Sequence, residues 1–265
     1  MPSETAAPAG KRAMWVWARP APSVLVRFAT TNGVSDLFVA VPPGLSTSPH
    51  LAWVRDLSRA AGAAVRLHAL GAETTWLDDP RAAVAWQRDA LATGLFAGSH
   101  VDLEPWQHPK WSSDRDAVLT AYLATLRALK ADAAASGHRL EADVAFWLWT
   151  MGDGDGVPID ERVVSIVDAI TIMSYRRTVT GPDSITDIAA HTLAVAAAAR
   201  TPTRLAVETN DLGSDPDAVK QTFHGTSRAV LRRALADVDA HETSVAVYSG
   251  VAVHDHAGWV ALPPT

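Results

Sequence analysis

The chain has 265 residues, 48% of them hydrophobic and 20% charged, which is enough apolar material for one large α/β core or two smaller ones. A formal net charge of −6 with only 23 Lys and Arg gives no basic surface for nucleic acid or an anionic membrane, and no apolar run approaches the roughly 20 residues of a membrane span. The absence of cysteine excludes disulfides, thiolate metal sites and a Cys nucleophile together.

The first segment, "MPSETAAPAGKR" (1–12), is polar and Pro/Ala-rich with no apolar signal-like stretch, so it reads as a short disordered lead before a folded domain over 13–265. Taken as it stands, the chain is expected to be cytoplasmic, or secreted if a native leader has been replaced. Eight short apolar segments follow: "AMWVWA" (13–18), "SDLFVAV" (35–41), "AAVRLHAL" (63–70), "GSHVDLE" (98–104), "RLEADVAFW" (139–147), "DAITIMSY" (168–175), "TRLAVET" (203–209) and "SVAVYSG" (244–250). Each has the length and β-branched content of a strand. Ala/Leu-rich amphipathic stretches lie between them, including 48–62, 79–94, 113–137 and 183–200, and several open on a Ser or Asp in cap position. Strands alternating with helices predict a parallel sheet, and eight units in this length predict a single (β/α)8 barrel. A doubly wound open sheet would place a glycine-rich phosphate loop after its first strand, where this chain has "WVWARPAPS" without a glycine.

In a barrel, residues that point inward at the carboxyl end of a strand form the floor of the site. Asp102 and Glu104 are two apart at the end of the fourth predicted strand, just before Pro105, and His100 shares their face one layer below. Burying two acids side by side raises the pKa of one of them, which is how a general acid is made. The bland alternative is a solvated edge or a salt-bridge network at the mouth.

Aligned with the D-x-x-D-x-D-x-E signature of family-18 glycoside hydrolases, "AGSHVDLE" (97–104) resembles that family, with Asp102 on its last Asp and Glu104 on its Glu. The two outer Asp positions fall on Ala97 and His100. "VDAITIMSY" (167–175) is similar to the strand-six segment of the family, which ends in Met-x-Tyr, here Met173 to Tyr175. The resemblance implies a remote chitinase-like barrel in which Glu104 protonates the glycosidic oxygen, Asp102 orients an acetamido group and Tyr175 supports the oxazolinium intermediate. It also implies a carbohydrate ligand and no cofactor. His100 either substitutes as a hydrogen-bonding group or marks a different chemistry.

Glu208, at the end of the seventh predicted strand, opens a second reading. Many retaining barrel glycosidases pair a strand-four acid/base with a strand-seven nucleophile, so Glu104 and Glu208 would form the couple. Two further readings stay open: a carbohydrate-binding protein without turnover, and a barrel enzyme using the paired acids on a non-sugar substrate.

The chain carries ten Trp, and Trp15, Trp17, Trp106, Trp111, Trp147 and Trp149 fall at or just past predicted strand ends, where aromatic faces can stack on a sugar. Trp53 and Trp86 lie inside predicted helices and are read as packing residues. Asp143 has inward parity on strand five, for substrate or for an interior Arg. His68, near the end of the third predicted strand, and His254 with His256, in a loop after the eighth, are expected at the mouth. A three-His metal site is conceivable there, but strand one reads "MWVWA" instead of the His-x-His of metal-dependent barrels, so no metal is expected. No G-x-S-x-G elbow occurs, and "MGDGDGVPID" (151–160) reads as the loop after strand five. The expected substrate-binding set is therefore Trp15, Trp17, His68, His100, Trp106, Asp143, Trp147, Met173 and His254, around Glu104, Asp102, Tyr175 and Glu208.

Overall fold

A computed structural model describes residues 12–265. The expected lead over residues 1–11 lies outside the described residues. Arg12, assigned to that lead, instead begins the first strand, where it is 2% exposed and donates to Asp239 at 3.1 Å.

Eight strands form a closed parallel barrel: β1 (Arg12–Val16), β2 (Val34–Ala40), β3 (Arg66–Gly71), β4 (Gly98–Val101), β5 (Arg139–Ala145), β6 (Ala169–Met173), β7 (Thr203–Glu208) and β8 (Tyr248–His254). Each pairs with the next, and β8 returns to β1 with Met14 opposite Val253. The helices around it are α1 (Pro22–Thr31), α2 (His50–Ala61), α3 (Pro80–Ala92), α4 (Arg115–Ala135), α5 (Ile159–Ile166), α6 (Ile185–Ala199), α7 (Pro216–Gln221), α8 (Arg228–Glu242) and α9 (His256–Ala261). Asp79 starts α3 by accepting the Arg81 N–H, with Pro80 as first helical residue, while Ser184 and Ser227 cap α6 and α8 in the same way.

Period-2 alternation divides the core in two. Leu37 and Val39 of β2 join the outer layer between strands and helices, whereas Phe38 between them turns inward with Ala13, Trp15, Leu70, Ala206 and Ala252. The interior is uneven. Trp15 and Phe38 occupy the β1–β2 side, alanines line β7 and β8, and the polar groups His100, Glu141 and Asp143 come from β4 and β5. The large rings fill the space that the alanines leave.

Several strand boundaries differ from the sequence reading, and two of the differences relocate a histidine. β3 runs over Arg66–Gly71, so His68 is its third residue and faces the opposite pole from the mouth. There His68 Nε2 lies 3.0 Å from Asp36, which also takes Arg66 at 2.8 Å, and Arg204 pairs with Glu141 at 2.9 Å. Burial pushes the Asp36 carboxyl up, but its bonds to His68 and Arg66 and the Arg204 charge outweigh it and hold it well below the usual range. His68 is thus a structural residue of an ion-pair network, not part of the mouth.

The eighth strand is Tyr248–His254, placing His254 on the strand's last residue instead of in a following loop. The segment expected as a loop over 151–160 is one only through Pro158, since Ile159 and Asp160 already belong to α5; within it Asp153 accepts the Asp155 and Val157 N–H groups. Among the described residues, no helix is long and apolar enough to cross a membrane.

Candidate active site

β4 ends at Val101, but the chain stays extended through Glu104, because the Asp102 N–H bonds to the Gly71 carbonyl at 2.9 Å, before a tight turn over Pro105–Gln107. Ser99, Val101 and Leu103 face the helices; Ser99 donates to Gln87 of α3 at 2.6 Å. His100, Asp102 and Glu104 therefore share the inner face, as the alternation predicts.

His100 is fully buried and stacked on Phe38, with centroids 3.6 Å apart at 18°. Its Nε2 lies 2.9 Å from Asp143, and its Nδ1 lies 3.7 Å from Glu141. Burial alone would strip its proton, yet Asp143 and Glu141 together push the imidazole up to about 9, so it is an imidazolium inside the barrel at neutral pH. The other Asp143 oxygen accepts the Trp15 indole N–H at 3.2 Å. Both oxygens of this 4% exposed residue thus have partners within the protein, His100 and Trp15, instead of the interior Arg that its parity also allowed.

Above this pair, Asp102 is driven well above the usual carboxylate range by burial, then by the charges of Asp143 and Glu104, with His254 and His100 acting against the shift. Its Oδ1 is buried and has no hydrogen-bond partner among the described residues. Glu104 is raised mainly by burial and by Asp143, against the Gln107 amide that bonds its Oε2. Tyr175 is raised far above its ordinary value by burial and by Asp143, Asp102, Glu208 and Glu104, so it keeps its O–H. Four acids act on this neutral phenol, and Asp143 raises both Asp102 and Glu104. Both mouth carboxyls are shifted upward by burial and by neighbouring negative charge, the direction a general acid requires.

Glu208 lies at the mouth but is committed elsewhere. Oε1 accepts from Thr209 N at 2.6 Å, Asn210 N at 2.7 Å and Asn210 Nδ2 at 3.0 Å, while Oε2 meets His254 Nδ1 at 2.7 Å. Four hydrogen bonds, three of them on Oε1, hold this 3% exposed carboxylate in place. His254 in turn accepts the Trp17 indole N–H on Nε2 at 2.8 Å.

The tryptophans divide by depth. Trp15 is 1% exposed and meets Phe38, His100 and His254 edge-on, so it fills the interior instead of presenting a face to ligand. Trp17 is 37% exposed at the rim. Trp106 and Trp147 are half-buried against each other, 4.9 Å apart, and Met173 is half-buried against the outer core. Trp111 carries Arg115 over its ring, and the exposed Trp149 stacks on His191. Trp86 is buried between β3 and α3 and donates to the Val41 carbonyl at 3.0 Å, while Trp53 bonds the Pro20 carbonyl at 2.8 Å. His256 begins α9 against Phe28, away from His254.

A cleft of about 470 Å³ adjoins the mouth, lined by Trp17, Arg19, His50, Gly71, Glu73 and Trp76 among others. Arg19, His50 and Glu73 were not singled out from the sequence. The position of Glu73, two residues past the end of β3, was the one available signal. Among the described residues no group of three or more His, Asp or Glu is arranged to hold a metal ion.

No protein-family model and no curated protein matches the chain. Solved structures do. A class V chitinase from Pseudomonas fluorescens Pf-5 superposes with a TM-score of 0.61 at 14% identity, covering 96% of this chain and 98% of that one. A chitinase from Chromobacterium violaceum gives 0.59 at 14% identity over 96% and 98%. The spore cortex-lytic enzyme SleL of Bacillus cereus gives 0.57 at 11% identity, over 97% of this chain and 72% of that one. The chain has the fold of the chitinase-like (β/α)8 barrels.

Proposed function

We propose that this chain is a glycoside hydrolase acting on an N-acetylated amino sugar, with Glu104 as general acid/base. The observation that carries the reading is the inner-face pair Asp102 and Glu104 at the barrel mouth, both raised in pKa and both within the field of the neutral Tyr175 phenol. The similarity in fold to proteins described as chitinases and as a spore cortex-lytic enzyme supports the substrate class.

In this reading Glu104 gives its proton to the glycosidic oxygen as the bond to the anomeric carbon breaks. The carbonyl oxygen of the substrate's own acetamido group forms the new bond to that carbon, with Asp102 accepting the amide N–H and Tyr175 donating to the amide oxygen. Water then opens the ring, returning a proton to Glu104. A second protein carboxylate as nucleophile is unnecessary, and Glu208 is held by Thr209, Asn210 and His254. Trp17 and the adjoining cleft offer the exposed aromatic and polar lining for a short saccharide.

The test is release of product from aryl glycosides, N-acetylated and plain, by wild type beside Glu104→Gln and Asp102→Asn. Cleavage restricted to N-acetylated members, reduced about 10²- to 10⁴-fold by Glu104→Gln, supports the reading. Binding of the same sugars with no turnover in wild type identifies a carbohydrate-binding protein instead. Silence in both assays points to a non-sugar substrate.

A further inference from the structure

The ends of β7 and β8 are joined more heavily than strand pairing requires. Beyond the Glu208 to His254 bond, Thr209 N–H donates to the His254 carbonyl at 2.6 Å, and Thr209 Oγ1 reaches the same carbonyl at 2.9 Å and that of Asp255 at 3.3 Å. Gly258 of α9 closes on this turn so tightly that a Cβ there would sit 2.5 Å from Thr209 Oγ1 and 2.8 Å from Asn210 Oδ1. The site is built to hold one imidazole.

The state of that imidazole follows from its partners. An indole nitrogen is donor-only, so His254 Nε2, which takes the Trp17 N–H at 2.8 Å, is bare. Glu208 accepts on the other side, so Nδ1 carries the hydrogen. Burial opposes protonation of His254, but the bond to Glu208 and its charge outweigh it and raise the imidazole; in its neutral form it turns a lone pair toward Trp17, beside Trp15 at 5.5 Å and Tyr175 at 6.2 Å between ring centroids. Trp17 is the replaceable partner. It is 37% exposed, follows the end of β1, and lines the 470 Å³ cleft as well.

We propose that His254 is a substrate-contacting residue, accepting a hydrogen bond on Nε2 from a sugar hydroxyl that displaces the Trp17 indole, with Glu208 as the positioning residue that keeps Nε2 bare. The inference rests on the mouth being a sugar site. A hydroxyl fits because it can donate, and the surrounding Asp102, Glu104 and Glu208 repel a carboxylate or phosphate. Glu208 thus serves the reaction through His254 and never touches substrate.

The experiment observes the Trp17 indole N–H by ¹⁵N–¹H NMR, assigned with Trp17→Phe, while N,N′,N″-triacetylchitotriose or cellotriose is added to the wild-type protein. Loss of the His254-bonded position on saturation, with His254 still in its Nδ1–H form, is the expected result. His254→Phe should weaken sugar binding about 10- to 100-fold. Glu208→Gln frees the imidazole to exchange tautomers, so the indole signal should shift before any sugar is added and KM should rise more than kcat falls. An indole signal unmoved at saturation, or unaltered affinity in His254→Phe, overturns the proposal. Displacement by cellotriose alone keeps it and removes the acetamido reading; no response to either sugar overturns both.

Discussion

His100 and Asp143, 43 residues apart in the chain, meet at 2.9 Å inside the barrel and form a buried ion pair directly beneath the mouth carboxyls. Asp143 raises Asp102, Glu104 and Tyr175 alike, which makes it the shared electrostatic element of the site. Asp143→Asn removes that charge. The catalytic acid should then lose its proton earlier, and the alkaline limb of the kcat/KM profile should move to lower pH by about one unit. An unmoved limb would show that burial alone sets the acid.

The same pair makes stability depend on pH. His100 titrates at about 9 when folded against 6.5 ordinarily, so its contribution, roughly 3 kcal/mol, is complete below the lower value and is lost as pH rises through the higher. Asp36 and Glu141 are depressed instead: burial opposes them, but the Arg204 charge wins for Glu141, and the hydrogen bond from His68 with the Arg204 charge wins for Asp36. Their contribution is present above about 4 and disappears as pH falls further. Thermal unfolding should therefore give a Tm that peaks between about pH 5 and 7 and declines on both sides. His100→Gln should flatten the alkaline decline while leaving the acid one.

Period-2 parity made the inner-face acids of β4 legible, because it needs only neighbouring residues. The partner of His100 was not legible, since the β4–β5 register sets His100 opposite Glu141 and so brings Asp143 within reach. The eighth strand was misplaced for a plainer reason. Two Val-Ala-Val runs, 245–247 and 251–253, fit a strand equally well, and only closure against β1 and β7 selects the second. His68 was misassigned because "AAV" at 63–65 extends the apolar run backward and makes the residue look late in its strand. Glu208 was recognised as a strand end, but the turn that saturates it arises from Thr209, Asn210 and a strand 46 residues away.

The opposite pole separates stability from chemistry. Arg204→Met leaves Glu141 without its 2.9 Å partner and deprives Asp36 of a cation. Stranding buried carboxylates should cost about 3 to 5 kcal/mol in chemical denaturation. Below the unfolding transition KM should stay within about twofold of wild type, because this pole lies at the opposite end of the barrel from the proposed sugar site. A selective rise in KM would tie the pole to the site.

Gly71 links packing to the mouth. A Cβ there would lie 2.5 Å from Trp76 Cη2 and 2.7 Å from Trp86 Cζ2, two rings that are 3% and 2% exposed and cannot swing away freely. Gly71→Ala must therefore push the end of β3 off these rings, at about 1 to 3 kcal/mol. The Gly71 carbonyl moves with it, and that carbonyl holds the Asp102 N–H at 2.9 Å. A displaced Asp102 should lower kcat/KM by about 10-fold or more, since positioning errors near 1 Å are that expensive. Pairing the change with Trp76→Leu opens room for the new methyl, so the double variant should regain both stability and turnover in part. Recovery of stability without any recovery of turnover would mean that the β3 carbonyl is not what positions Asp102.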